Sequence, residues 1–136
     1  MENSTEKQKK IDSVRIDFAD DNKLPGLNRE DLESLGKEDK PVLLKKGVIE
    51  RNFSEHPDIS REEFAQLLPE TLYTPDLVLP ERVRPEKSNY HHFVKYLERN
   101  NSVAIVEMSD KKDHYEVVHL QKMRNRNLKK LIAKNK

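Results

Sequence analysis

The chain has 136 residues, enough for one ordinary domain, and only 34% of them are hydrophobic, so we expect part of it to lie outside the packed core. It contains no cysteine, no apolar run long enough to cross a bilayer, and no N-terminal signal-peptide pattern. These features exclude a disulfide framework, and they predict a soluble, cytoplasmic protein with no membrane partner.

The net charge of +1 is unevenly distributed along the chain. Residues 1–81 sum to −7 and residues 82–136 to +8, and the last sixteen residues contain seven basic side chains and no acidic one. Such an end would attract a polyanion, although a basic helix is often only a solvated face. Charge alone therefore leaves both interpretations open.

Residues 1–40 have the character of a charged leader. The first ten lack apolar periodicity, which predicts a mobile terminus. Alternation over Ser13 to Phe18 predicts a short strand, and Leu24-Pro25-Gly26 indicates a turn. Asn28 is placed to cap a short helix that Gly36 ends.

We predict that the main domain covers residues 41–136 and opens with a helix at Pro41, because proline suits the first helical position. Pro57 should end that helix and leave His56 in its last turn or just beyond it. A protonated imidazole is favoured there by the helix dipole, and the alternative is that His56 is only a C-terminal capping residue with a solvent-facing ring. A capping box from Ser60 to Glu63 starts a second helix, which Pro69 should break.

From Asp76 onward the hydrophobic period changes from helical to two, which predicts strands. We expect four strands, with Pro80 marking an edge or a bulge in the first. They cover residues 77–83, 89–98, 102–108 and 114–120. The predicted fold class is α+β: two or three helices packed on one face of an antiparallel meander of about four strands, then a short C-terminal helix over 126–134.

Several short motifs, in this order, resemble those of a known nuclease superfamily. They are His56-Pro57 at a helix end, Leu68-Pro69-Glu70, the entry to the sheet from Thr74 to Val78, and the strand end from Val117 to Leu120. Together they resemble the phage branch of the barnase–EndoU–colicin–RelE-like nucleases, as in the C-terminal domain of Mu-type phage head morphogenesis proteins.

This resemblance covers about residues 41–134. It implies two helices packed on a four-stranded antiparallel sheet, and a metal-independent ribonuclease or a descendant of one, of phage or mobile-element type. The family often has Thr or Ser in its last strand, where this chain has His119.

The chemistry of such a reaction indicates which side chains are candidates. Cleavage of RNA by its own 2′-hydroxyl needs a base, an acid for the leaving 5′-oxygen, and cations beside the phosphoryl oxygens, but no metal or other cofactor. The candidate proton-transfer residues are His56, His119 and either His91 or His92, since adjacent strand residues point to opposite faces. The candidate phosphate-binding residues are Lys46, Arg51, Lys95, Lys122 and Arg124.

The sequence therefore predicts a metal-independent ribonuclease-like domain with RNA as its partner. Two alternatives remain open. One is a non-catalytic interaction or structural module that keeps the nuclease fold, and the other is a toxin–antitoxin type of protein that binds a protein partner or inhibitor. The sequence shows no metal-ligand spacing, glycine-rich phosphate loop or Gly-x-Ser-x-Gly elbow. The spatial grouping of the five histidines is the observation that would help most.

Overall fold

The computed structural model describes residues 4–135, and in this range five α-helices accompany one mixed six-stranded sheet. The helices are α1 (Ser4–Ser13), α2 (Arg29–Leu35), α3 (Lys46–Glu55), α4 (Arg61–Tyr73) and α5 (Asn125–Lys134). The strands are β1 (Asn22–Leu24), β2 (Val42–Leu44), β3 (Leu77–Pro80), β4 (Tyr90–Tyr96), β5 (Asn101–Glu107) and β6 (Tyr115–Met123). None of these helices is long and apolar enough to cross a membrane.

The strand order is β1-β2-β6-β5-β4-β3. Strands β3 to β6 form the predicted antiparallel meander, and β3 is an edge strand, which is where the sequence placed Pro80. The first half of the chain adds two strands that were not predicted. Strand β2 pairs antiparallel with β1 but parallel with β6, so the α+β class is confirmed while the sheet is larger and mixed.

Helices cover both faces of the sheet, not one face as predicted. Phe93 and Ala104 point into the main core, which α3 and α4 help to close. Their neighbours Val94 and Val103 therefore point to the opposite face. Leu128 of α5 packs against them there, so the predicted C-terminal helix forms a second, smaller apolar cluster.

Residues 4–40 are more ordered than their composition indicated. Helix α1 replaces the predicted mobile terminus from Ser4 onward, while residues 1–3 lie outside the described range. The predicted strand over Ser13 to Phe18 was wrong, since this segment joins no strand. The alternating apolar side chains of this segment, those of Val14, Ile16 and Phe18, nevertheless pack against the main core. They do so without the backbone hydrogen bonds of a strand. Helix α2 has the predicted ends, with Asn28 at the N-cap position and Gly36 in the left-handed region at φ 67°.

Two predictions based on proline were wrong. The segment after Pro41 is β2, because Val42 and Leu44 are fully buried beside β6, and the helix begins only at Lys46. Helix α4 continues through Pro69 to its end at Tyr73. A proline inside a helix costs about 3 kcal/mol, and burial of one large apolar side chain contributes about 1.5–3 kcal/mol. Three fully buried side chains of α4, those of Phe64, Leu68 and Leu72, offset that cost.

Candidate functional site

Two histidines that lie 63 residues apart in sequence meet at the C-terminal end of α3. The Nε2 atom of His56 lies 3.0 Å from the Nε2 atom of His119. Their rings are nearly perpendicular, with centroids 4.5 Å apart and an interplanar angle of 80°. At this separation one nitrogen donates its proton and the other accepts it, so the two rings share one proton between them.

Helix α3 holds His56 in place because it binds the edge of β6. Strand β2 pairs with β6 only at Tyr115 and Glu116, so no strand within residues 4–135 lies beside the edge beyond them. There the Arg51 Nη2 atom donates to the Val118 carbonyl at 2.9 Å, and the Leu120 amide donates to Asn52 Oδ1 at 2.8 Å. Two side chains of α3 thus take the place of a strand and fix the helix end beside His119.

The register of the sheet sets the direction of His119. It lies opposite Ile105, directly beside a β-bulge between Ile105 and Val106. Its neighbour Leu120 belongs to the main core, so His119 points to the other face of the sheet. A bulge can re-aim a side chain at a strand edge, and this one lies beside the strand residue that meets His56.

The surroundings of His119 favour its neutral form. Burial lowers the pKa of His119, and the positive charge of His56 lowers it further. A hydrogen bond with the Gln121 side chain opposes this effect, and so does the Glu55 carboxylate, whose Oε2 lies 3.9 Å from His119 Nδ1. Arg51 completes the group, with its Nε 4.0 Å from Glu55 Oε1. A neutral His119 is ready to accept a proton from His56 or from a substrate hydroxyl.

The same side chains form a possible cation site. One donor atom each from Glu55, His56 and His119 lies within 4.8 Å of the others. Two imidazoles and a carboxylate are ligands that zinc and related transition metals accept. Such an ion would compete with the shared proton for the same nitrogen atoms.

The predicted third histidine does not join the pair. His91 lies opposite Val106, which belongs to the main core, so it points to the other face of the sheet from His119. Its Nδ1 lies 3.0 Å from the Asn89 carbonyl, and burial lowers its pKa. His92 shares the face of His119 but lies two strands away, about 10 Å at the usual strand spacing.

Of the five predicted phosphate-binding residues, only Arg51 lies at the pair. Lys46 is at the opposite end of α3, about 15 Å away by helical rise, where it lies 3.9 Å from Glu50. Arg124 precedes α5 and is exposed, five residues beyond His119 along the chain.

The remaining two cations are engaged elsewhere. Lys95 donates to the carbonyl of Thr74 at 2.8 Å and so caps the C-terminal end of α4. Lys122 forms an ion pair with Glu63, and this pair lowers the pKa of the Glu63 carboxyl. Lys122 also lies three residues after His119 on the strand, which places it on the opposite face.

Sequence reasoning missed Asn52 and Glu55. Asn52 is only 2% exposed and shares the buried side of α3 with Ile49. A polar residue in an otherwise apolar helical stripe is the signal that could have identified it, because a buried amide requires a partner. For Glu55 the sequence holds no comparable signal, since an exposed glutamate near a helix end is ordinary.

Fold and site together define a small α+β domain with a histidine pair where a helix end meets a strand edge. Residues 11–135 match the family described as Large polyvalent protein-associated domain 13, and the chain belongs to that family. No curated protein and no solved structure gives a significant match. These comparisons do not link the chain to the barnase–EndoU–colicin–RelE-like nucleases, so that resemblance stays a prediction.

Proposed function

We propose that this domain is a metal-independent ribonuclease whose reaction uses the His56–His119 pair. The observation that carries the proposal is the 3.0 Å contact between their Nε2 atoms. Proton transfer during RNA cleavage needs one group that accepts a proton and one that donates it, and imidazole does both near neutral pH.

We assign the roles from the neutral form that burial favours at His119, which makes His119 the base and leaves His56 as the proton donor. Neutral His119 accepts the proton of the 2′-hydroxyl, whose oxygen attacks the phosphorus atom. The bond from phosphorus to the 5′-oxygen breaks as His56 donates its proton to that oxygen. The products are a 2′,3′-cyclic phosphate and a free 5′-hydroxyl. Glu55 stabilises the charge that His119 gains, and Arg51 offers its remaining N–H groups to the phosphoryl oxygens.

Substrate must replace the contact between the two rings. A phosphodiester does not fit between atoms 3.0 Å apart, so the rings separate when RNA enters. Contacts in a free enzyme often rearrange in this way when the substrate complex forms. Both rings are partly exposed, which permits their rotation.

The test is cleavage of a structured RNA in the presence of EDTA. We expect the wild type to cleave it, His56→Ala and His119→Ala to cleave at least about a hundredfold more slowly, and an all-deoxy substrate to stay intact. His114→Ala is the matched control, because His114 lies near Asp113 in a turn outside the site. A wild type that does not cleave, or variants as fast as wild type, would contradict the proposal.

A second candidate is a non-catalytic interaction module. The family description favours it, because it associates the domain with large polyvalent proteins and names no reaction. On this reading the pair would stabilise the junction of α3 and β6. An intact fold with no cleavage under any condition of the test would support this candidate.

A further inference from the structure

Helix α5 displays a set of cations that the fold leaves without ion pairs. They are all exposed, and among residues 4–135 none of them is within ion-pair distance of an acidic group: Arg124, Arg126, Lys129, Lys130 and Lys134. Several other basic side chains are engaged. Lys45 and Lys112 bind Glu116, and Lys40 and Lys95 bind backbone carbonyls.

The helix is firmly attached to the sheet, so these cations have a fixed direction. Leu128 is 5% exposed and packs in the small cluster with Val94 and Val103. At the far end, the Asn135 side chain accepts a hydrogen bond from the Arg82 amide at 2.8 Å. The apolar side of α5 is therefore occupied by the sheet, and its basic side faces solvent.

This arrangement costs free energy in the isolated protein. Arg126 and Lys130, and also Lys130 and Lys134, are four residues apart, and each like-charge pair of this kind destabilises a helix by about 0.2–0.5 kcal/mol. Arg124 and Arg126 stand at the N-terminal end, where the helix dipole disfavours cations. The helix contains no acidic residue to offset these repulsions. Only Lys134, in the last turn, is favoured by the helix dipole, and a bound polyanion would relieve the repulsion among the other cations.

We propose that the exposed face of α5 binds the phosphate backbone of single-stranded RNA independently of its sequence. This inference rests on the proposed function for the identity of the polyanion. An anionic membrane fits less well, because interfacial helices insert an apolar face and the apolar side of α5 is buried.

The position of α5 connects it to the histidine pair. Arg124 comes directly after the last residue of β6 and five residues after His119. At the rise of a strand, these two residues are about 16 Å apart. Stacked nucleotides advance about 3.4 Å each, so about five nucleotides separate the start of α5 from His119. Helix α5 then crosses the sheet, since Leu128 packs on Val94 and Val103, and Asn135 at its far end accepts the Arg82 amide beyond β3. Its ten residues span about 15 Å in that direction, or about four nucleotides.

The test measures binding of a labelled twelve-nucleotide RNA by fluorescence anisotropy, with His56→Ala in every protein so that the RNA stays intact. The α5 variant carries Lys129→Gln and Lys130→Gln. The control carries Lys23→Gln and Lys111→Gln, two exposed cations outside α5 that give the same change in net charge. Thermal melts confirm that both proteins fold.

We expect the α5 variant to bind about tenfold more weakly at low salt, and its plot of log affinity against log salt to be shallower by about 1.4, since each phosphate contact on a single strand contributes about 0.7. The control should bind within about twofold of its parent. Equal losses in both variants, no RNA binding, or equal binding to anionic vesicles would overturn the inference. RNA binding through α5 by a wild type that never cleaves would overturn the proposed function alone.

Discussion

Asn52 is the residue that joins the helix carrying His56 to the strand carrying His119. Its Oδ1 accepts the Leu120 amide at 2.8 Å, one residue after His119, and His56 follows it by one helical turn. The side chain touches no substrate in this account, so it is a positioning residue. A substitution of Asn52 therefore changes how the two histidines are positioned without removing either imidazole.

We predict that Asn52→Ala lowers both stability and RNA cleavage. The buried Leu120 amide would lose its partner, which costs about 1–3 kcal/mol of unfolding free energy. Cleavage should fall about tenfold or more even at temperatures where the variant is fully folded, because His56 loses its fixed position. Chemical denaturation and initial cleavage rates measure the two effects. Ser54→Ala, an exposed change on the same helix, is the control, and an Asn52 variant indistinguishable from it would contradict this role.

The helices and strands show which structure local sequence can specify. The capping box at Ser60 was predicted correctly, and so was the left-handed end of α2 at Gly36, because each depends on residues within one turn. The four strands of the meander were predicted from the period of two in their apolar residues. Strand β2 was not predicted, since the three residues after Pro41 become a strand by pairing with β1, about twenty residues earlier, and with β6, over seventy residues later. Long-range pairing of this kind leaves no local signal.

Substituting alanine for Gly36 and for Gly47 should change the unfolding free energy in opposite directions. Gly36→Ala should destabilise the protein by about 1–2 kcal/mol, since a side chain is strained at φ 67° even though the space around it is open. Gly47→Ala should stabilise it by up to about 1 kcal/mol, because Gly47 lies in α3 with open space around it. Urea unfolding measures both. Shifts of the same sign would show that one of the two helix ends is wrongly placed.

At the scale of the whole molecule, the sequence predicted that His56 and His119 could lie close together, and the structure places their Nε2 atoms 3.0 Å apart. The sequence could not predict how the other candidate residues are placed. His56 was marked by the helix end before Pro57, and His119 by its place on the last strand. Which of His91 and His92 shares the face of His119 depends on the strand register at the bulge between Ile105 and Val106. The local sequence does not encode that register. The distances of Lys46 and Arg124 from the pair likewise depend on how α3 and α5 pack.

Buried histidines make the stability of the fold depend on pH. Burial lowers the pKa of both His91 and His92. In the unfolded chain they take up protons near the usual pKa of about 6.5, whereas the folded protein resists protonation until lower pH. Between about pH 6.5 and that lower pH the unfolded state binds more protons, so stability falls as pH decreases through this window.

We therefore predict that the urea midpoint is lower at pH 5.5 than at pH 7.5. The difference should be smaller in His92→Gln, because this variant lacks one of the two buried imidazoles. Glu116 does not contribute in this window. Lys45 lowers its pKa to about 2, so its stabilisation is lost only as pH falls from about 4.5 towards 2. A midpoint that is unchanged or higher at pH 5.5 would contradict the prediction.

The central claim is that His56 and His119 act together in cleaving RNA, and a double-mutant cycle tests it most directly. Single-turnover cleavage with EDTA would be measured for the wild type, His56→Ala, His119→Ala and the double variant. We predict that each single change lowers the rate at least about a hundredfold, and that the double variant is only a few-fold slower than the slower single variant, because the second change removes a partner that no longer functions. The claim would be contradicted if the losses of the two single variants multiplied in the double variant. It would also be contradicted by single variants as fast as the wild type, or by a wild type that does not cleave.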